Sequence, residues 1–136
     1  MLPVTTLTAS VLGLFYVWLA IQVIRLRRNH KVSTGDGGHH DLTHAIRAHG
    51  NCAEYLPISL ILLGLAELNQ GETWVLAGFA GLIVAGRAFH ALAFLGKTAH
   101  LSRRILGMKL TFIAINGLAL YDLGLVVAAG WTKLGT

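Results

Sequence analysis

Arg47, Asn51 and Glu54 stand at i, i+4 and i+7 in "HAIRAHGNCAEYLP" (residues 44–57), so a helix places all three on one face. His44 lies three residues before Arg47 and shares that face. In "GRAFHALAFLG" (86–96), Arg87 and His90 repeat an i, i+3 pair, and Arg103 and Arg104 open the last apolar stretch. Four guanidinium groups, on Arg47, Arg87, Arg103 and Arg104, thus surround one carboxylate, Glu54. Such a surplus suits an anion with more than one carboxylate or phosphate, gripped bidentately. Glu54 is then free to meet an ammonium or to orient an arginine. A small peptide with two carboxylates and one amine matches this set, and glutathione is such a molecule; charge alone admits an anionic lipid equally well.

The elements that must position these groups are apolar. The chain has 136 residues, 54% hydrophobic and only 12% charged. That is about half the charge of a soluble domain. From Leu2 to Ile24 no Asp, Glu, Lys, Arg or His occurs, a run long enough to span a bilayer. A basic cluster, Arg25, Arg27, Arg28 and Lys31, follows that run, and no base precedes it, the opposite of a cleavable signal peptide. Four spans are predicted in an all-α membrane bundle, with helices at about 2–28, 43–68, 73–96 and 104–131 forming a single domain over 1–136. "GDGGHHD" (35–41) and "NQGE" (69–72) are its polar turns. Asp41 or Thr43 is expected to cap the second helix, and Glu72 or Thr73 to begin the third.

Ten of the eleven Lys and Arg fall in or beside the first and third loops, with Lys133 opposite. The positive-inside rule then puts both loops in the cytoplasm and both termini outside. The net charge of +5 does not read as a nucleic-acid surface, because the bases cluster at the ends of apolar segments. A bilayer-facing charge costs about 2.5–3.5 kcal/mol, so Glu54 and Arg87 are expected inside the bundle or a cavity. The plainer reading pairs Arg47 or Arg87 with Glu54 and lets the remaining bases snorkel to head groups.

Other signals are weaker. His39, His40, His44 and His49 lack Cys or carboxylate partners at zinc spacing and read as solvated loop histidines, with no metal implied. Cys52 reads as a buried apolar residue, not a nucleophile. Asn116 and Asp122 are expected to satisfy each other or a neighbouring helix. Ala77, Gly81 and Ala85 repeat every four residues, a small-residue stripe suited to helix or subunit contact. Pro57 falls inside the second helix and bends it if that helix starts near residue 41. Trp74 and Trp131, with Tyr16 and Trp18, are expected at the membrane interfaces.

The R-A-x-x-N-x-x-E spacing within "RAHGNCAEYLP", the "GRAFHALAFLG" of the third span and the four-span layout together resemble the MAPEG family, the membrane-associated proteins of eicosanoid and glutathione metabolism. The "GDGGHHDL" loop is similar to its bacterial branch. The resemblance implies a homotrimer of four-helix subunits in the bacterial inner membrane, with glutathione as co-substrate between subunits near the cytoplasmic face. It also implies that Arg25, Arg47, Asn51, Glu54, Arg87 and His90 contact the tripeptide. Arg103 corresponds to the arginine thought to hold the thiolate, and a nearby cation does lower a thiol's pKa. The expected activity is glutathione transfer to hydrophobic electrophiles, or peroxidase action on lipid hydroperoxides. Departures exist: Phe94 replaces a tyrosine of some relatives, and Gly50, Arg104 and Gly107 differ from the prostaglandin-synthesising branch, which argues against prostaglandin isomerisation. A non-catalytic lipid-binding or scaffold protein of the same fold is the alternative. A small multidrug transporter ranks last, because those place an essential Glu in the first span.

Overall fold

The computed structural model describes residues 1–94 and 100–134, with side chains through Gly130. Four helices follow in chain order: α1 (Pro3–His30), α2 (His40–Leu68), α3 (Thr73–Leu92) and α4 (Leu101–Leu134). Each is long and apolar enough to cross a membrane. Leu7, Leu14, Ile61, Leu120 and Val126 are exposed, the inside-out pattern of a protein whose solvent is lipid. This is an all-α integral membrane bundle.

The bounds differ from the expected ones at the basic ends. α2 begins at His40, three residues early, and α4 begins at Leu101, also three early. Neither α2 nor α3 uses a side-chain N-cap: His39 and Glu72 hold those positions without a capping bond. Asp41 lies in the first turn of α2 instead, where a carboxylate complements the helix dipole. Pro57 lies inside α2, as expected from its early start. The expected end of α3 at residue 96, together with the loop base Lys97, lies outside the described residues.

α3 and α4 form the most extensive pair. Their backbones touch where Gly86 faces Gly107: a Cβ on Gly107 would stand 2.5 Å from the His90 amide nitrogen and 2.7 Å from the Gly86 carbonyl oxygen. Only glycine permits that approach. The stripe of Ala77, Gly81 and Ala85 is not used here, since a Cβ on Gly81 would have no atom within 4 Å and Ala77 is exposed. The core lies in two clusters along the bundle. One gathers Leu12, Leu63, Leu76, Ile83 and Leu118; the other, nearer the basic end, gathers Leu19, Ala48, Cys52, Ala91 and Phe94. Cys52 is buried there, as expected.

At the opposite end the Glu67 carboxylate accepts bonds from the Val4 (2.9 Å) and Thr5 (2.8 Å) amides. It thereby satisfies orphan donors at the start of α1 from the end of α2. Tyr121 of α4 accepts a bond from the Glu72 amide at 2.8 Å, tying α4 to the α2–α3 turn. Asn116 is exposed, and both Asp122 carboxylate oxygens are buried without a hydrogen-bond partner among the described residues, so the expected mutual satisfaction is not formed. Trp74 is 88% exposed, consistent with an interfacial anchor. The side chain of Trp131 lies outside the described residues.

Candidate functional site

Arg87 is the most deeply buried charge, 1% exposed among α2, α3 and α4. The Gly86–Gly107 contact brings Thr111 of α4 within reach of its guanidinium. Thr111 Oγ1 accepts from Arg87 Nε at 3.1 Å and Nη2 at 2.5 Å while donating to the Gly107 carbonyl at 2.9 Å. On the other side Nη1 donates to Asn51 Oδ1 at 2.7 Å and to the Asn51 carbonyl at 3.2 Å. Nη2 also meets the Met108 thioether at 3.7 Å, and the Tyr55 ring lies 5.3 Å from the guanidinium carbon. Neutral dipoles thus satisfy every donor, and among the described residues no carboxylate pairs with this cation. The expected Arg87–Glu54 or Arg47–Glu54 pair is not formed. A positive charge solvated only by dipoles keeps its field available to a nearby anion.

Two cavities open at the basic end, the second reaching Arg87 through Met108. One, of about 270 Å³, is the more polar of the two. Gln22, Arg25, Leu26 and Asn29 of α1, at i, i+3, i+4 and i+7, face Asp41 and Ala45 of α2 and Phe94 beyond the end of α3. It presents a guanidinium, a carboxylate and two carboxamides, donors and acceptors suited to a zwitterion. The Asp41 carboxylate also accepts from His30 Nε2 at 2.9 Å.

The second cavity, of about 240 Å³, lies against α4: His90, Leu101, Arg104, Ile105, Met108, Lys109 and Phe112 line it. Two cations stand there in otherwise mainly apolar walls. Phe94 ties the two cavities together. Its ring lines the polar one, and it carries the Arg104 guanidinium carbon 4.5 Å from its centroid and the His90 ring at 5.4 Å. Arg104 Nε is buried there without a hydrogen-bond partner among the described residues.

Of the residues singled out by spacing, the fold joins Arg87 to Asn51 directly and places Arg25 and His90 on two separate cavities. Arg47, Glu54 and Arg103 are exposed and line neither cavity. Glu54 was expected within the bundle or a cavity; it lies on the outer face of α2, fourteen positions from that helix's first residue. Of the four histidines read as solvated, His39 stacks on His30 (3.9 Å), His44 lies 5.7 Å from the Phe94 ring and His49 stacks on Tyr16 (4.5 Å), while His40 is exposed. Thr111, Met108 and Tyr55 were missed, because each looks like ordinary span filler until α3 and α4 are brought together.

The loop between α1 and α2 is held by Asp36. Its carboxylate accepts from the Gly38 amide at 3.0 Å and the Thr43 hydroxyl at 2.8 Å. Those two bonds, Gly38 first, hold the Asp36 carboxyl below the usual aspartate range.

Four apolar spans, with a dipole-solvated arginine in their interior and two cavities at the basic end, define an integral membrane protein. The chain belongs to the MAPEG family, whose model matches residues 5–124. It is similar to the inner membrane protein YecN of Escherichia coli K12, 35% identical over 120 residues that cover 88% of this chain and 90% of that one. YecN of Escherichia coli O6:H1 matches to the same extent.

Proposed function

We propose that this protein is an inner-membrane, glutathione-dependent transferase or peroxidase acting on hydrophobic electrophiles or lipid hydroperoxides. The single observation that supports it most is the pair of cavities on either side of Phe94, whose ring lines the more polar one and packs on Arg104 and His90 of the mainly apolar, cationic one. In this reading Arg25 takes a glutathione carboxylate and the Asp41 carboxylate faces its ammonium. The cations of Arg103 and Arg104 draw the sulfur as a thiolate. Its attack forms a carbon–sulfur bond and expels the leaving group of an electrophile. With a hydroperoxide, thiolate attack on the outer oxygen breaks the O–O bond; the alkoxide takes a proton, and a second glutathione converts the sulfenic acid to disulfide and water. His90, beside Arg104, is placed to pass that proton.

The reading needs more than one subunit. Each cavity is somewhat below the ≈ 300–1,000 Å³ of common ligand sites. On α2, Arg47, Asn51, Glu54, Ile58, Ile61, Leu65 and Leu68 follow one another at alternating steps of four and three. All but Asn51, which is half-buried, are exposed. This is the heptad seam of a self-associating helix, polar at one end and Ile/Leu at the other. An exposed carboxylate midway along a spanning helix calls for such cover. We place the α2 seam at the centre of a homotrimer, its polar end completing the glutathione site with Arg47 and Glu54, and both termini outside the cytoplasm.

A second reading, a non-catalytic binding protein of the same fold, has two observations in its favour: Phe94 offers no hydroxyl, and Asn51 is already engaged by Arg87. Conjugation assays on the purified protein in detergent, across electrophiles and lipid hydroperoxides, separate the two. Turnover that falls with His90→Ala and Arg25→Ala supports the enzyme. Glutathione binding with no turnover on any acceptor supports the binding protein.

A further inference from the structure

The four bases after the first span are not one cluster. Arg25 shares its face of α1 with Gln22, Leu26 and Asn29, all lining the polar cavity. Ile24, Arg27, Arg28 and Lys31 repeat the same i, i+3, i+4, i+7 spacing two residues later, about 200° round the helix. That second face, with Val32 and Ser33, lines a separate cavity of about 350 Å³.

Its construction is specific. Lys31 takes the left-handed conformation (φ 55°) and ends α1, with its amide bonded to the Arg28 carbonyl and the Val32 amide bonded to the Arg27 carbonyl. This hook swings Val32 and Ser33 over the last turn as a wall. Arg27 Nη1 then fixes the wall by donating to the Gly35 carbonyl at 2.8 Å and the Ser33 carbonyl at 3.3 Å. The neighbouring acids are otherwise engaged: Asp36 by Gly38 and Thr43, Asp41 by His30. Arg28 and Lys31 therefore present exposed cations with no carboxylate partner among the described residues, above an apolar floor of Ile24 and Val32.

Depth selects the occupant. α1 has 28 residues and is about 42 Å long, whereas a hydrocarbon core is about 30 Å. With its charge-free run in the core, the last turns of α1 stand at the level of lipid phosphates. We propose that this cavity is a binding site for one anionic phospholipid, its phosphate held by Arg28 and Lys31 and its acyl chain laid on Ile24 and Val32. Bases that merely snorkel would not need the hooked wall that Arg27 holds in place.

The test uses the full chain, delipidated in neutral detergent, with phosphatidylglycerol, phosphatidylcholine and inorganic phosphate as probes, read by native mass spectrometry and thermal shift. Phosphatidylglycerol is expected to bind and stabilise in preference to phosphatidylcholine. Arg28→Gln/Lys31→Gln should weaken its binding about 30-fold, two surface bases at about fivefold each. Arg25→Gln, whose side chain lines the other cavity, should weaken it far less than the double variant does. Should the double variant fail to fold, Arg28→Lys/Lys31→Arg is the companion: it must keep the preference, and binding to the unaltered protein must weaken as salt rises from about 0.05 to 0.5 M. Equal binding of the two lipids, retention of the preference by the double Gln variant, or stabilisation by phosphate as strong as by phosphatidylglycerol would each overturn the proposal. None of these outcomes depends on glutathione.

Discussion

Arg87 Nη1 donates simultaneously to the side-chain oxygen and the main-chain carbonyl of Asn51, at 2.7 and 3.2 Å. An arginine of α3 thus locks the polar stretch of α2 in place, and it does so without a carboxylate. The remaining donors reach Thr111 and Met108 of α4, so one guanidinium joins three helices.

Thr111→Val keeps the shape of that residue and removes the acceptor of Nε and one acceptor of Nη2. A buried charged group left short of partners costs about 1–3 kcal/mol or more. The thermal midpoint in detergent should fall by several degrees, while Thr111→Ser should remain near the unaltered protein. An unchanged midpoint for the Val variant would show that the Arg87 network is not a stabilising unit.

Gly107→Ala introduces a Cβ at 2.5 Å from the His90 amide nitrogen, a backbone atom that cannot swing away. Forced separation of α3 and α4 should cost about 1–3 kcal/mol. It should also displace His90 from Arg104, so any turnover should drop more than stability does. Circular dichroism melts alongside activity measure both.

Much of this architecture was legible. Hydrophobic run lengths mark the four spans, and the spacing of Arg47, Asn51 and Glu54 marks one face of α2. The same 4–3 alternation continues on that face through Ile58, Ile61, Leu65 and Leu68, whose apolar side chains carry no chemical signal of their own. The Arg87–Thr111 bond was not legible, because it depends on two glycines twenty-one positions apart meeting across helices. The small residues that do meet, Gly86 and Gly107, do not belong to the periodic stripe of Ala77, Gly81 and Ala85. Nor does spacing say that Arg104 rests on Phe94 while Arg103 is exposed; neighbouring residues on a helix simply diverge by about 100°.

The α2 seam gives its own prediction. Ile61→Arg puts a cation in the apolar half, where insertion scales assign about 2.5–3.5 kcal/mol per residue. The proposed homotrimer should dissociate, as read by light scattering or native mass spectrometry. Ile113→Arg, on an exposed site of α4, serves as the comparison for general damage. Trimers that persist in Ile61→Arg would remove the seam from the interface.

The Asp36 loop should respond to acid in a definite direction. The folded carboxyl titrates below the ordinary aspartate value of 3.8, so its contribution is complete above that value. It is lost as pH falls through the lower folded value. Carboxyl NMR should place the Asp36 midpoint under 3.8, and Asp36→Ala should make the α1–α2 loop more susceptible to protease at neutral pH. A midpoint at or above 3.8 would contradict the bonding to Gly38 and Thr43.

The central claim is that the basic end holds glutathione. Isothermal titration of the detergent-purified protein, with ultraviolet difference spectra collected on the same samples, tests it directly. Saturable binding at or below millimolar tripeptide is expected, weakened at least tenfold in Arg25→Ala, with a thiolate band that diminishes in Arg103→Ala or Arg104→Ala. No heat and no thiolate band at millimolar glutathione would contradict the account.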